Sequence, residues 1–197
     1  MPALTDAVLE LFEHTGAYLR GHFRLTSGLH SSEYLQCAKV LQFPGHAERL
    51  GGELAAKLRR LAHPGEIGVV VAPAMGGLII GHEVARALGV RFIFTERESS
   101  GKMTLRRGFA VQPGEVAAVV EDVITTGGSS RETIQILQAQ GAVVAGAGSI
   151  IDRSGGQAEL GVPYASLATL KVTSFAPDIC PLCRDGVPVV KPGSRPS

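Results

Sequence analysis

Two carboxylates and a row of hydroxyl and glycine residues share one short stretch, VVEDVITTGGSS, from Val119 to Ser130. Apolar residues of strand type run into Glu121 and Asp122. Val123 and Ile124 come next, then Thr125, Thr126, Gly127, Gly128, Ser129 and Ser130, before a helical pattern opens at Arg131. Such a turn offers unpaired backbone N–H groups at the positive end of a helix dipole, which suits a phosphate. The glycines allow close backbone approach and positive φ, and the hydroxyls add donors. The carboxylates would repel a phosphate. They suit the hydrogen-bond donors of a vicinal diol, met directly or through a hydrated Mg²⁺. A ligand with a phosphate at one end and a diol in its middle is a ribose 5-phosphate. The bland alternative is a capped helix after an exposed turn with two solvated acids; strands tolerate paired carboxylates too poorly for that to be preferred.

The elements needed to position this stretch are legible around it. An amphipathic helix is expected from about Thr5 to Thr15, short strands and turns over Gly21–Val40, and a second helix over His46–Leu61. After a turn at Pro64-Gly65 the pattern becomes strand and helix in alternation: strand Ile67–Ala72, helix Gly77–Leu88, strand Val90–Phe94, strand Val116–Val120, helix Ser129–Gln140, and strands Val143–Ile151 and Ser166–Val172. That order predicts a parallel sheet with right-handed crossovers and helices on both faces. Ligands of such sheets collect beyond the strands' carboxyl ends, where Glu121 and Asp122 fall. Thr95–Phe109 is polar, basic and aperiodic, and reads as a long mobile loop. One domain is expected, with an N-terminal attachment over about 1–40, core sheet over about 65–175 and an irregular tail over 176–197.

Composition narrows the class. The 197 residues suffice for one substantial core, and the formal net charge of +1 argues against a surface that coats nucleic acid. No window resembles a membrane span, and three cysteines make a poor disulfide framework, so a cytoplasmic protein is expected.

VVEDVITTGGSS resembles the phosphoribosyl-pyrophosphate signature of the type I phosphoribosyltransferases, and GHFRLTSG (Gly21–Gly28) and IIDRSGG (Ile150–Gly156) are similar to segments of the orotate phosphoribosyltransferases among them. The resemblance covers nearly the whole chain. It implies the family's α/β fold with a small N-terminal hood, and transfer of ribose 5-phosphate from phosphoribosyl pyrophosphate to orotate, giving orotidine 5′-phosphate in pyrimidine synthesis. It implies that Glu121 and Asp122 hold the ribose diol, with Asp122 near the positive charge that develops on the sugar, and that the turn from Val123 and Ile124 through Thr125, Thr126, Gly127, Gly128 and Ser129 cradles the substrate, its 5′-phosphate on Thr125–Ser129. Arg97 is implied at the pyrophosphate, Arg153 and Thr125 at orotate, and Mg²⁺ as a cofactor held mainly by substrate. In the family a loop lysine is important for catalysis and reaches the neighbouring subunit's site, so Lys102 on the 95–109 loop is implied as catalytic in a homodimer. Arg106 and Arg107 could assist it or be solvated charges.

The chain also departs from the family pattern. Thr26 and Gly76 stand where a lysine is usual, Met75 where an aromatic residue is usual, and Glu98 replaces a second loop lysine. Arg24, two residues from Thr26, is the nearest cation. These changes leave the pyrophosphate site less cationic and keep two alternatives open: the same transfer to another nucleobase, or a non-catalytic sensor of phosphoribosyl pyrophosphate. CPLC, Cys180–Cys183, reads as two reduced thiols, because a lone C-x-x-C lacks the second pair of a structural zinc site unless Cys37 and a histidine complete it. No residue is assigned as a protein metal ligand.

Overall fold

Runs of buried β-branched residues alternate with amphipathic helices through most of the chain, and each run becomes a strand of one sheet. The computed structural model describes residues 4–25, 27–61 and 66–192; Thr26 and the expected turn at Pro64-Gly65 lie outside them. The elements are α1 (Leu4–His14), β1 (Tyr18–Arg24), β2 (His30–Leu35), α2 (Ala38–Leu41), α3 (Pro44–Leu58), β3 (Val69–Pro73), α4 (Gly77–Leu88), β4 (Arg91–Arg97), β5 (Met103–Leu105), β6 (Val116–Ile124), α5 (Gly128–Ala139), β7 (Val143–Asp152), β8 (Tyr164–Thr169), β9 (Ser174–Phe175) and α6 (Pro181–Arg184).

Six strands form the core sheet in the order β5-β4-β3-β6-β7-β8. All neighbours are parallel except β4 and β5. Strand alternation divides the core between the two faces. Val70, Ala118 and Val120 turn toward α1, α3 and α4, where Phe12, Leu50, Leu54 and Ile80 pack. Val69, Val71, Ala117 and Val119 turn toward α5, against Ile134 and Leu137. Burial of this kind contributes about 1.5–3 kcal/mol for each large apolar side chain, which is why the central strands need no polar face.

A second sheet, β1-β2-β9, is antiparallel and forms the hood. Two parts of it come from the far end of the chain: β9, and Val190, which bridges Phe23 on β1. The hood is therefore not a purely N-terminal attachment. Helix α1, although first in sequence, packs its Val8 and Phe12 into the main core.

Two expectations are corrected here. The 95–109 segment is a hairpin in part: β4 continues to Arg97 and pairs with β5 in the register Thr95↔Leu105 and Arg97↔Met103. Met103 is buried, and Gly101, at φ +84°, permits the turn closed by Gly101 N–H to the Glu98 carbonyl at 2.9 Å. A strand of three residues, Met-Thr-Leu, is too short a period to stand out from its polar neighbours. The tail is likewise not wholly irregular, because it holds α6 and the Val190 bridge.

Candidate active site

Strand β6 outlasts its neighbour on one side. Pairing with β3 ends at Val119, whereas pairing with β7 continues through Glu121↔Ser149 to Ile124↔Asp152. The two acids thus lie within the strand, past the last pair with β3, with one edge open. Alternation sends them to opposite faces. Glu121 accepts a hydrogen bond from Ser130 of α5. Asp122 faces the other way: a Cβ added at Gly76 would come within 2.5 Å of its Oδ1, and the Cys37 thiol lies 3.9 Å from its carbonyl. The family lysine missing at 76 is therefore replaced by a close approach, backbone against carboxylate, that any side chain would disturb. Burial pushes the Glu121 carboxyl up to about 7, against the hydrogen bond from Ser130, and burial also raises Asp122.

Three clefts meet at these acids. The first, ≈ 510 Å³, is lined by Leu29, Tyr34, Asp122, Thr125, Arg153 and Ser174 among others, and lies under the hood. The second, ≈ 670 Å³, includes Arg24, Gly76, Arg97, Asp122, Ser129 and Lys191. The third, ≈ 170 Å³, is formed by Arg97, Glu121, Val123 and the turn Thr125–Ser129. Asp122, Tyr34 and Gln36 belong to both large clefts, so a ligand that spans them passes over Asp122.

The small cleft has the features of a phosphate cradle. Helix α5 starts at Gly128 behind Gly127, whose φ is +74°. A Cβ at Gly127 would meet Leu160 Cδ2 at 2.4 Å, so the position is closed to other residues on space as well as on φ. Arg131 donates to the Thr126 carbonyl at 2.6 Å and to the Glu159 carbonyl at 3.0 Å, tying the turn to the chain beyond β7. A carbonyl engaged in this way is held back from an anion while the turn's N–H groups remain for it.

The two arginines singled out from the sequence differ. Arg97 holds Glu132 through both terminal nitrogens, at 2.8 and 2.9 Å, and donates to the Gly101 carbonyl at 2.8 Å. Arg153 is half-buried, forms no ion pair among the described residues, and leaves its Nε without a hydrogen-bond partner. Its sequence neighbour Asp152 is occupied elsewhere, accepting from Ser154, Gly156 and Tyr164. Burial lowers the Arg153 pKa from the usual guanidinium value, partly offset by Tyr34 and Glu33. A desolvated guanidinium with donors to spare is a carboxylate receptor.

Lys102 is exposed at the hairpin turn and is not among the residues lining these clefts. Arg107 holds Glu96 at 2.7 Å and lies over the Phe94 ring, so its charge shapes the hairpin; Arg106 is exposed. Tyr34, Gln36, Arg131 and Lys191 belong to the site or its support and were not found from sequence. Tyr34 and Gln36 lie in the hood strand β2 or just after it. Lys191 arrives from the tail, which the sequence predicts to be irregular.

The phosphoribosyl transferase domain model matches residues 44–170, which span β3 to β8 and contain the acids and the phosphate turn. The chain belongs to the phosphoribosyltransferase family. Within this family its relatives are specific: the orotate phosphoribosyltransferase of Pelotomaculum thermopropionicum is 57% identical over 190 residues, 96% of this chain and 97% of that one. That of Heliobacterium modesticaldum is 54% identical over 96% of this chain and 98% of its own. The crystal structure of orotate phosphoribosyltransferase from Aeropyrum pernix superposes with a TM-score of 0.66 at 30% identity, covering 83% of this chain and 94% of that one. This phosphoribosyltransferase matches them through its hood as well as its core, since the coverage extends well beyond residues 44–170.

Proposed function

We propose that the chain transfers ribose 5-phosphate from phosphoribosyl pyrophosphate to orotate, releasing pyrophosphate and giving orotidine 5′-phosphate, a step of pyrimidine nucleotide synthesis. The observation that carries the choice of base is Arg153: a half-buried guanidinium that lines the cleft under the hood and forms no ion pair among the described residues. Orotate differs from other pyrimidine bases by its carboxylate, the anion such a group is built to receive. The near full-length likeness to named orotate phosphoribosyltransferases supports the same reading.

In this reading the sugar lies over Asp122, where the clefts meet, with its 5′-phosphate in the Thr125–Ser129 turn and its diol facing Glu121 and Asp122. The bond from C1′ to the pyrophosphate oxygen breaks as the bond from C1′ to the base nitrogen forms, and the proton on that nitrogen passes to the departing pyrophosphate or to water. Positive charge develops on the sugar in a buried place beside Asp122, where a carboxylate stabilises it more than it could in water. Pyrophosphate departs into the cleft that holds Arg24, Arg97 and Lys191.

The donor set fits a Mg²⁺ cofactor. Two half-buried carboxylates, neither held in an ion pair by the described residues, could accept hydrogen bonds from the water ligands of an ion bound mainly by substrate. Such an ion supplies charge screening for the pyrophosphate oxygens. Lys102 supplies charge to the same leaving group, in this reading from the hairpin of the partner subunit in a homodimer; its exposure and its place outside its own clefts support the assignment. The test is direct. Purified protein with phosphoribosyl pyrophosphate, orotate and Mg²⁺ should form orotidine 5′-phosphate and pyrophosphate in equal amounts, and formation of neither would reject the reading.

A further inference from the structure

The hood holds a second cluster of chemically capable groups, remote in sequence from the acids of β6. His22 of β1, His30 of β2, and Cys180 and Cys183 at α6 bring one ligand atom each within 4.8 Å of one another. The separations include 2.8 Å between His22 Nε2 and His30 Nδ1, and 3.2 Å between Cys183 Sγ and His30 Nδ1. Cys180 Sγ lies 3.5 Å and Cys183 Sγ 3.7 Å from His22 Nε2. Bonds of about 2.0 Å to nitrogen and about 2.3 Å to sulfur around a tetrahedral ion would place ligand atoms about 3.3–3.8 Å apart. The four separations given lie within about 0.5 Å of that range, and all the ligand atoms stay within 4.8 Å of one another.

Three further observations point the same way. His22 Nδ1 donates its proton to the Val187 carbonyl at 2.7 Å, which leaves the Nε2 lone pair facing the cluster. A carbonyl that fixes the tautomer in this manner is the usual outer support of a metal-bound histidine. His22, His30 and Cys180 are buried, although imidazole is a costly group to bury without a purpose. The register of β1 against β2 shifts between Arg20 and Phe23, a bulge that re-aims His22.

We propose that His22, His30, Cys180 and Cys183 bind a structural Zn²⁺ ion that staples the C-terminal segment to the hood. Two thiolates and two imidazoles select zinc over Mg²⁺ or Ca²⁺, which prefer oxygen. Four protein ligands leave no open position, so the ion is structural and takes no part in turnover. The staple has a consequence for the site. After Cys183 the chain runs along β1, with Val190 N–H donating to the His22 carbonyl and Arg24 N–H to the Val190 carbonyl, both at 2.8 Å. The next residue, Lys191, lines the same cleft as Arg24. The ion thereby fixes the strand that delivers two cations to the phosphate side.

The test is metal content. Untagged full-length protein, purified without chelator, should carry about one zinc per chain, and the double variant Cys180→Ser, Cys183→Ser should carry almost none. Cobalt exchanged into the wild type should give the intense visible bands of a tetrahedral ion and a thiolate-to-cobalt charge-transfer band in the near ultraviolet. If the double variant does not fold, the cobalt spectrum of the wild type decides alone. Wild-type protein that takes up no zinc or cobalt, that binds them without the thiolate band, or that holds Cys180 and Cys183 as a disulfide overturns the proposal.

Discussion

The two ends of the active-site cleft are built on different terms. The base end, with Arg153 and Tyr34 under the hood, is lined within one chain and keeps a half-buried guanidinium whose Nε has no protein partner. At the phosphate end, Arg97 is already committed to Glu132 and Gly101, the family lysine at 76 is absent, and Lys102 lies on an exposed turn. A flat base that carries a carboxylate is best discriminated by a preformed pocket with a desolvated contact to that group. A pyrophosphate must be bound and then released. Mobile or shared cations suit it better, since charge that arrives in the transition state accelerates departure while uniform binding does not. The difference teaches that the base end is preformed by the hood, whereas the cations of the phosphate end are committed to protein partners or exposed.

Substitutions can break this comparison in a definite order. Asp122→Asn, at the junction, should lower kcat by about 10³-fold, because it removes a half-buried charge placed beside the developing cation; steady-state kinetics with intact binding of phosphoribosyl pyrophosphate would show it. Lys102→Ala should lower kcat by about 10²-fold with little change in the dissociation constant of phosphoribosyl pyrophosphate, as expected of a contact made only as the leaving group departs. Verified mixed dimers of these two variants should recover activity, and their failure to do so would place the hairpin over its own site. Arg153→Ala should leave phosphoribosyl pyrophosphate binding intact and cut kcat/KM for orotate by about 30-fold or more, the cost of a lost charged hydrogen bond.

The smallest effect is in pH. Glu121, with its carboxyl raised to about 7, is protonated in the free protein at mildly acid pH, and the diol of the sugar prefers the ionised form as acceptor. Affinity for phosphoribosyl pyrophosphate should therefore rise with pH until about 7 and then level off, and calorimetry below that pH should detect proton release on binding. For the ligand-free fold the sign is reversed. A pKa raised above its unfolded value gives stability that is present at low pH and lost as pH climbs from the ordinary glutamate range through about 7. Glu121→Gln should flatten both dependences.

The sheet and the phosphate turn were legible because their chemistry is contiguous: strand, acids, glycines and helix follow one another from Val119 to Arg131, and periodicity marks each boundary. Opposite facing of Glu121 and Asp122 also follows from strand alternation, once β6 is seen to continue past them. The hairpin at 95–105 was hidden because β5 is only three residues long and its buried Met103 follows a polar loop. The hood was hidden for a different reason. His22 and His30 stand about 150 residues from Cys180 and Cys183, and nothing in local pattern says that β9 and Val190 close on β1 and β2. Tyr34 and Lys191 enter the site by that same closure.

The central claim is that the hood end reads the carboxylate of orotate, and it is tested most directly by comparing kcat/KM for orotate and uracil, which differ by that group alone. The account predicts a preference for orotate of about 10³-fold or more, the range expected when a site built to bond a polar group meets a substrate that lacks it. Equal use of uracil, or faster use of a purine, would contradict it while leaving the phosphoribosyl chemistry in place.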